Sequence, residues 1–280
     1  MSNVARQRRR FNFRGSLSIP FVVFMVFFVI VPLFLVVFYA FTDIEGHFSL
    51  KNWAEIFTSP ERWKTIGMTF IVAFATTAIC LLIGYPIAFI LSNKKFNKNK
   101  VLVYVFILPM WVNFVVRTMA LKDMLNFTFV QMIGSQLTAV HPLLGTIIGM
   151  VYDYLPFAIL PLYNQMLKMD KNQIEAAADL GANPVRVFIK VIIPMTIPGI
   201  ISACTMTFMP TMSSYVIAFH MSNGKIPIIG TLIEFYFNTG TGGYNSGAVL
   251  SLVMLIIIGV SLFAEKFSEK KDDTRKAGIW

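Results

Sequence analysis

The sequence predicts an all-α membrane protein with about six transmembrane helices. Apolar residue types make up 56% of the 280 residues and charged types only 14%, where a soluble domain carries roughly 25% charge. Six apolar runs are long enough to cross a hydrocarbon core, which takes about 20 residues of helix. Lys and Arg collect in every second connection between those runs, the alternation expected of segments on the cytoplasmic side of a bilayer. That placement assigns the net charge of +10 to a membrane surface rather than to nucleic acid.

The runs lie at about 17–41, 67–91, 101–121, 142–163, 191–219 and 246–264. Each must be helical, because lipid offers no partner to an unpaired backbone group. Residues 1–16 read as a basic cytoplasmic N-terminus carrying Arg6, Arg8, Arg9, Arg10 and Arg14. The first run is about twice the length of a signal-peptide core and no A-x-A-like site follows, so it reads as a retained span. Pro32, Pro86, Pro109, Pro156 and Pro210 fall inside runs and predict kinks. The connection 42–66 holds Trp53 and Trp63 and predicts a short surface helix. The connection 220–245 is rich in Gly and Asn around an apolar stretch, Ile226 to Phe237, and residues 265–280 read as a charged tail that frays. Eighteen Lys and Arg on one side against six on the other place both termini in the cytoplasm. Cys80 and Cys204 lie within apolar runs and read as packing residues. His47, His141 and His220 are scattered, so no metal site is predicted.

The cytoplasmic connection 164–190 is the most informative. Asp170 can cap a helix, and Gln173 three residues later completes a capping-box pattern. Glu175-Ala176-Ala177-Ala178-Asp179-Leu180-Gly181 follows, with Gly181 suited to the left-handed position that ends a helix. Asn183 can cap the next helix, with Pro184 at its first position. Small side chains let another surface approach the backbone, and Glu175 and Asp179 share a face. On this physics alone, a docking helix and a plain amphipathic connector stand equal.

The string E-A-A-A-D-L-G, followed by apolar residues and Pro194, resembles the EAA loop of ABC importer permeases. The resemblance implies a type I importer permease fold in which Glu175, Ala176, Ala177, Asp179, Leu180, Gly181 and Pro194 form a coupling helix against the ATPase. Ile107-Leu108-Pro109-Met110-Trp111, Arg117-Thr118, Leu155-Pro156-Phe157, Leu162-Tyr163 and the run Ile193 to Ile200 are similar to the B-type permease of the spermidine/putrescine branch. The implied partners are an ABC ATPase dimer, a second permease forming a heterodimer, an extracytoplasmic solute-binding protein and membrane lipid. The implied location is a bacterial plasma membrane. The sequence has no G-x-x-x-x-G-K-[ST]. This chain is therefore expected to bind no cofactor, with ATP and Mg on the separate ATPase.

Asp153 is the only carboxylate deep in a predicted span. It would cost at least ~2.5 kcal/mol facing lipid, so it should face a watery cavity or a polar partner. Trp111, Tyr152 and Tyr154 offer aromatic faces to a passing ammonium group. Glu234, beside Phe235 and Tyr236, is a second carboxylate candidate, and Met206, Met209, Met212 and Tyr215 recur at helical spacing. Packing is the alternative for each. At the level of function, the alternatives are a permease for another small solute, a stand-alone channel or secondary transporter, and an intramembrane enzyme. The second of these calls for repeats or several intramembrane charges, and the third for a catalytic constellation. Neither is evident in the sequence.

Overall fold

The computed structural model describes residues 19–93, 101–240 and 243–277. The basic N-terminus, most of the 92–100 connection and the last three residues lie outside the described residues. Within them the backbone is almost wholly helical, and a single β-bridge, between Thr42 and Phe48, closes a turn.

The first helix, α1 (Ile19–Ala40), takes a π turn at Val26–Ile30 just before Pro32. Of its side chains only Ala40 is buried; an apolar helix with so little protein around it belongs in lipid or against another chain. The surface helix expected in 42–66 is α2 (Lys51–Thr58). Next come α3 (Pro60–Ser92), the bent pair α4 (Leu102–Trp111) and α5 (Phe114–Ile133), the single turn α6 (Leu137–Val140), α7 (Pro142–Leu167), α8 (Lys171–Asp179) and α9 (Pro184–Ser213). The rest is α10 (Val216–Ser222), α11 (Ile229–Asn238) and α12 (Gly243–Ala277).

The centre is a bundle of α3, α7 and α9 around Cys80, Ala88, Ile159, Leu162 and Ala203. A second cluster of Val72, Met150, Ile217 and Met221 ties α10 to α3 and α7. A third, with Ala40, Ile56, Val249 and Leu250, fastens α1 and α2 to α12. Buried Thr69, Thr77 and Thr211 donate their hydroxyls to the carbonyl four residues back. That arrangement leaves no unmet donor from these residues in an apolar bundle. At the end of α1, Trp53 Nε1 donates to the Ala40 carbonyl at 2.9 Å. Asn245 Nδ2 donates to the carbonyls of Tyr39, Thr42 and Asp43 at 3.1, 2.6 and 3.3 Å. These bonds serve the last carbonyls of α1 and the turn that follows it.

Two predicted spans are corrected. The third is not a straight helix over 101–121: α4 is too short to cross alone, and α5 leaves it at 101° and runs on to Ile133. Pro109 sits in a tight 3-10 turn, Leu108–Trp111, after which Val112 is extended at φ −75°, ψ 139°. Asn113 then starts a new helix by accepting from the Val115 and Val116 N–H groups at 2.9 and 3.4 Å. The fifth span begins at Pro184 rather than 191 and stops at Ser213, not 219. Ser214 is extended and α10 is a separate element. Gly230 on α11 presses on this break, where a Cβ would stand 2.8 Å from the Ser213 carbonyl oxygen. Only a residue without a side chain permits that approach. The charged tail expected to fray from 265 continues α12 to Ala277.

Candidate functional sites

The segment predicted to couple forms a helical knuckle. Asp170 caps the helix through Oδ1, which accepts from the Asn172 N–H at 3.0 Å rather than from Gln173, so the expected capping box is not formed, and Gln173 is exposed. At the far end Gly181 takes φ +81°. The Ala182 N–H donates to Ala177 at 3.1 Å and the Gly181 N–H to Ala178 at 2.9 Å, the paired bonds of a Schellman motif. Asn183 Oδ1 then accepts from the Arg186 N–H at 2.8 Å and α9 begins at Pro184. Glu175, Ala176, Asp179 and Pro194 are exposed and Ala177 is half-buried. Leu180 is 89% exposed, and nothing lies within 4 Å of a Cβ built at Gly181. The knuckle thus projects from the bundle. On its inner side Ile174 and Glu175 share a cleft with Phe89, Ser92, Met166 and Met169, at the ends of α3 and α7.

Asp153 is not an open cation site. It is 1% exposed; Arg117 Nε donates to its Oδ1 at 2.6 Å, and Thr118 Oγ1 to its Oδ2 at 2.6 Å. The Arg117 guanidinium also donates to the Pro109 carbonyl at 2.9 Å and lies 5.3 Å from the Tyr152 ring centre. Of the alternatives open for Asp153, the polar partner is the one realised, and sequence reasoning had not joined Arg117 to it. Arg117 was visible only within the branch motif.

The remaining candidates separate. Trp111 is 83% exposed at the bend. Tyr154 packs inside the bundle and donates to the Pro210 carbonyl at 3.3 Å. The methionines do not form one wall: Met212 is buried and Met206 exposed. Met209 lines a hollow with Phe70, Phe74, Thr77 and Phe208 between α3 and α9. Tyr215 and Glu234, distant in sequence, do meet. They line one cavity of about 390 Å³ among the break after α9, α11 and α12, together with Ser213, Phe237, Asn238 and Ser251. Those four were not anticipated, because no spacing rule links them. Among the described residues no group of three His, Cys, Asp or Glu side chains gathers to hold a metal.

Residues 81–267 match the family of binding-protein-dependent transport system inner membrane components. The chain is similar to the spermidine/putrescine transport system permease protein PotB of Haemophilus influenzae, with 32% identity covering 88% of this chain and 92% of that protein. The PotB permease protein of Escherichia coli K12 is 31% identical over 77% of this chain and 80% of its own length. A chain from the crystal structure of a bacterial alginate ABC transporter, in complex with alginate pentasaccharide-bound periplasmic protein, superposes with a TM-score of 0.70. It has 12% identity and covers 92% of this chain and 94% of that one, a likeness of fold.

Proposed function

This chain belongs to the family of binding-protein-dependent transport system inner membrane components, and from that premise we propose how it works as a polyamine permease. It is a multi-pass inner-membrane subunit of an ABC importer, a transport component rather than an enzyme. Membership of such an importer implies an ATPase and a solute-binding protein as partners.

The carrying observation for coupling is the exposed knuckle at Leu180, joined to α9 by a Schellman turn and an Asn183 cap with no flexible segment between. Its exposed alanines admit a close partner backbone, and the two caps make the unit stiff. Glu175, Ala176, Ala177, Asp179 and Leu180 enter a groove on the ATPase, and Gly181 makes the turn that couples them to α9. Closure of the ATPase dimer pushes α8, and α9 carries the displacement past Pro194 into its packing with α3 and α7. ATP and Mg reside on that ATPase, and this chain binds no cofactor.

The substrate reading, spermidine or putrescine, rests on the names of the similar permeases. A second, non-identical permease completes the path, and both termini of this chain lie in the cytoplasm, where the Lys and Arg of residues 1–16 and 164–190 collect. Met209, Trp111, Tyr152, Tyr215 and Glu234 are the residues of this half of the path. Asp153 and Tyr154 position its walls. Aromatic faces suit a passing polycation, since each attracts an ammonium by roughly 0.5–2 kcal/mol without holding it.

The test is reconstitution of the complex with its ATPase, second permease and binding protein in vesicles. Spermidine or putrescine should stimulate ATP hydrolysis and accumulate inside. Stimulation by a sugar, sulfate or phosphate instead would remove the polyamine reading and leave the importer.

A further inference from the structure

We infer that the cavity among the break after α9, α11 and α12 binds the primary ammonium end of an alkylamine, with Glu234 as its counter-charge. The inference rests on the polyamine reading for its physiological ligand, but the site is argued from its own chemistry.

Three of the polar side chains that line the cavity, Asn238, Ser213 and Ser251, already direct a donor to a partner within the protein. Asn238 Nδ2 donates to Glu234 Oε1 at 2.7 Å. The Ser213 hydroxyl donates to the Met209 and Pro210 carbonyls at 3.3 and 3.2 Å, and the Ser251 hydroxyl to the Gly247 carbonyl at 2.8 Å. What these groups still offer is acceptor capacity: the second carboxylate oxygen and the hydroxyl lone pairs. An ammonium group is the complement, with three donors and no acceptor.

Charge points the same way. Among the described residues, no lysine, arginine or histidine pairs with Glu234. Arg62, which reaches α11 at the Tyr236 hydroxyl at 2.9 Å, is paired with Glu55 at 2.5 Å. Glu234 is half-buried, so its field is less screened than that of a surface carboxylate. Tyr215 and Phe237 add ring faces in the same cavity, and Ile233 and Met254 line the remainder. One anionic end, aromatic flanks and an apolar floor fit an amine carried on a methylene chain. They do not fit an anion, and a neutral polyol would leave the carboxylate without a countercharge.

The cavity also has a built origin. Its floor exists because α9 stops at Ser213 and Gly230 lets α11 close on that break. A chain that continued α9 to 219 would fill the space with helix.

The experiment uses the reconstituted complex with Cys80→Ala, Cys204→Ala and Met254→Cys, and follows the rate at which a maleimide labels the introduced thiol. Spermidine should slow labelling several-fold, and 1,4-butanediol, of similar chain but uncharged, should not. Glu234→Gln keeps an acceptor for Asn238 and removes only the charge, so it should abolish the protection, while Glu234→Asp should retain part of it. The same vesicles report spermidine-stimulated ATP hydrolysis. If hydrolysis is stimulated but labelling is never slowed, the site falls and the polyamine importer stands. If stimulation is absent yet spermidine protects through Glu234, the site stands and the transport reading falls. Protection by butanediol, protection unchanged in Glu234→Gln, or protection by the solute-binding protein without any amine would each overturn the inference.

Discussion

Arg117 and Asp153 form a buried ion pair that joins three helices at the 101° bend between α4 and α5. Arg117 lies in the first turns of α5, Asp153 in the middle of α7, and the same guanidinium grips the Pro109 carbonyl at the end of α4. The 3-10 turn gives the Pro109 carbonyl only a long bond from the Val112 N–H, at 3.3 Å, so in an apolar bundle it gains from a second donor. Arg117 supplies one and in turn needs an anion. Asp153 supplies that, with Thr118 satisfying its second oxygen. Bend and ion pair are therefore linked, since one guanidinium serves both Asp153 and the turn at Pro109.

Asp153→Asn should cost the assembled permease about 3–5 kcal/mol, because removing one partner strands a buried charge. The expected readout is a lower melting temperature and yield of the detergent-extracted complex. Arg117→Met combined with Asp153→Leu should recover much of the loss, though the Pro109 carbonyl then keeps only the Val112 N–H. A fully stable Asp153→Asn complex that only slows spermidine uptake would return Asp153 to the translocation path.

Asn245 holds the end of α1 through three carbonyls. Asn245→Leu removes a donor that three carbonyls share, while Thr42 keeps Asn52 Nδ2 and Asp43 keeps the Gly46 N–H, so the loss is about 0.5–1.5 kcal/mol. Hydrogen exchange around 40–50 should rise, while the α3, α7 and α9 core exchanges as before. Unchanged protection there would mean that Trp53 and the apolar contacts alone hold α1 in place.

The inside assignment of the knuckle can be read directly. With Cys80 and Cys204 replaced by Ala, a cysteine at the exposed position Glu45 should react with a membrane-impermeant thiol reagent added to intact cells. A cysteine at exposed Asn172 should react only after the membrane is opened. Labelling of position 172 from outside would invert the topology.

Hydropathy found the long helices because a span must be continuously apolar. It located α3, α7 and α12 to within several residues at their bundle ends. It failed at α5 and at the end of α9 for a definite reason. Val112 to Leu121 and Ser213 to Phe219 stay apolar enough to read as span, and what breaks the helix is local: an Asn113 cap in one case, an extended Ser214 pressed by Gly230 in the other. Caps were legible where a motif framed them, as at Asp170 and Asn183. The Arg117–Asp153 pair was not, because its partners are brought together by tertiary packing. The same holds for Tyr215 and Glu234, which share a cavity because α11 packs back on the break after α9.

The coupling knuckle gives the sharpest separation of fold from function. Leu180 is 89% exposed, so Leu180→Asp should leave the helical bundle and its membrane insertion intact. In a groove on the ATPase, however, that apolar side chain would be buried, and a carboxylate there would be desolvated without a partner. Glu175→Lys reverses a charge on the same exposed helix. Both should reduce transport sharply while the permease reaches the membrane in normal amount, and the ATPase should copurify less. Gly181→Val acts differently, since φ +81° disfavours a β-branched residue by more than the roughly 1–2 kcal/mol typical of left-handed backbone. It should loosen the turn between α8 and α9, so that the ATPase stays bound but hydrolysis no longer drives uptake. The three variants thus divide docking from force transmission. Normal uptake by Leu180→Asp and Glu175→Lys would leave α8 a connector. Loss of ATPase binding in Gly181→Val would show that the turn shapes the docking surface and does not merely transmit its motion.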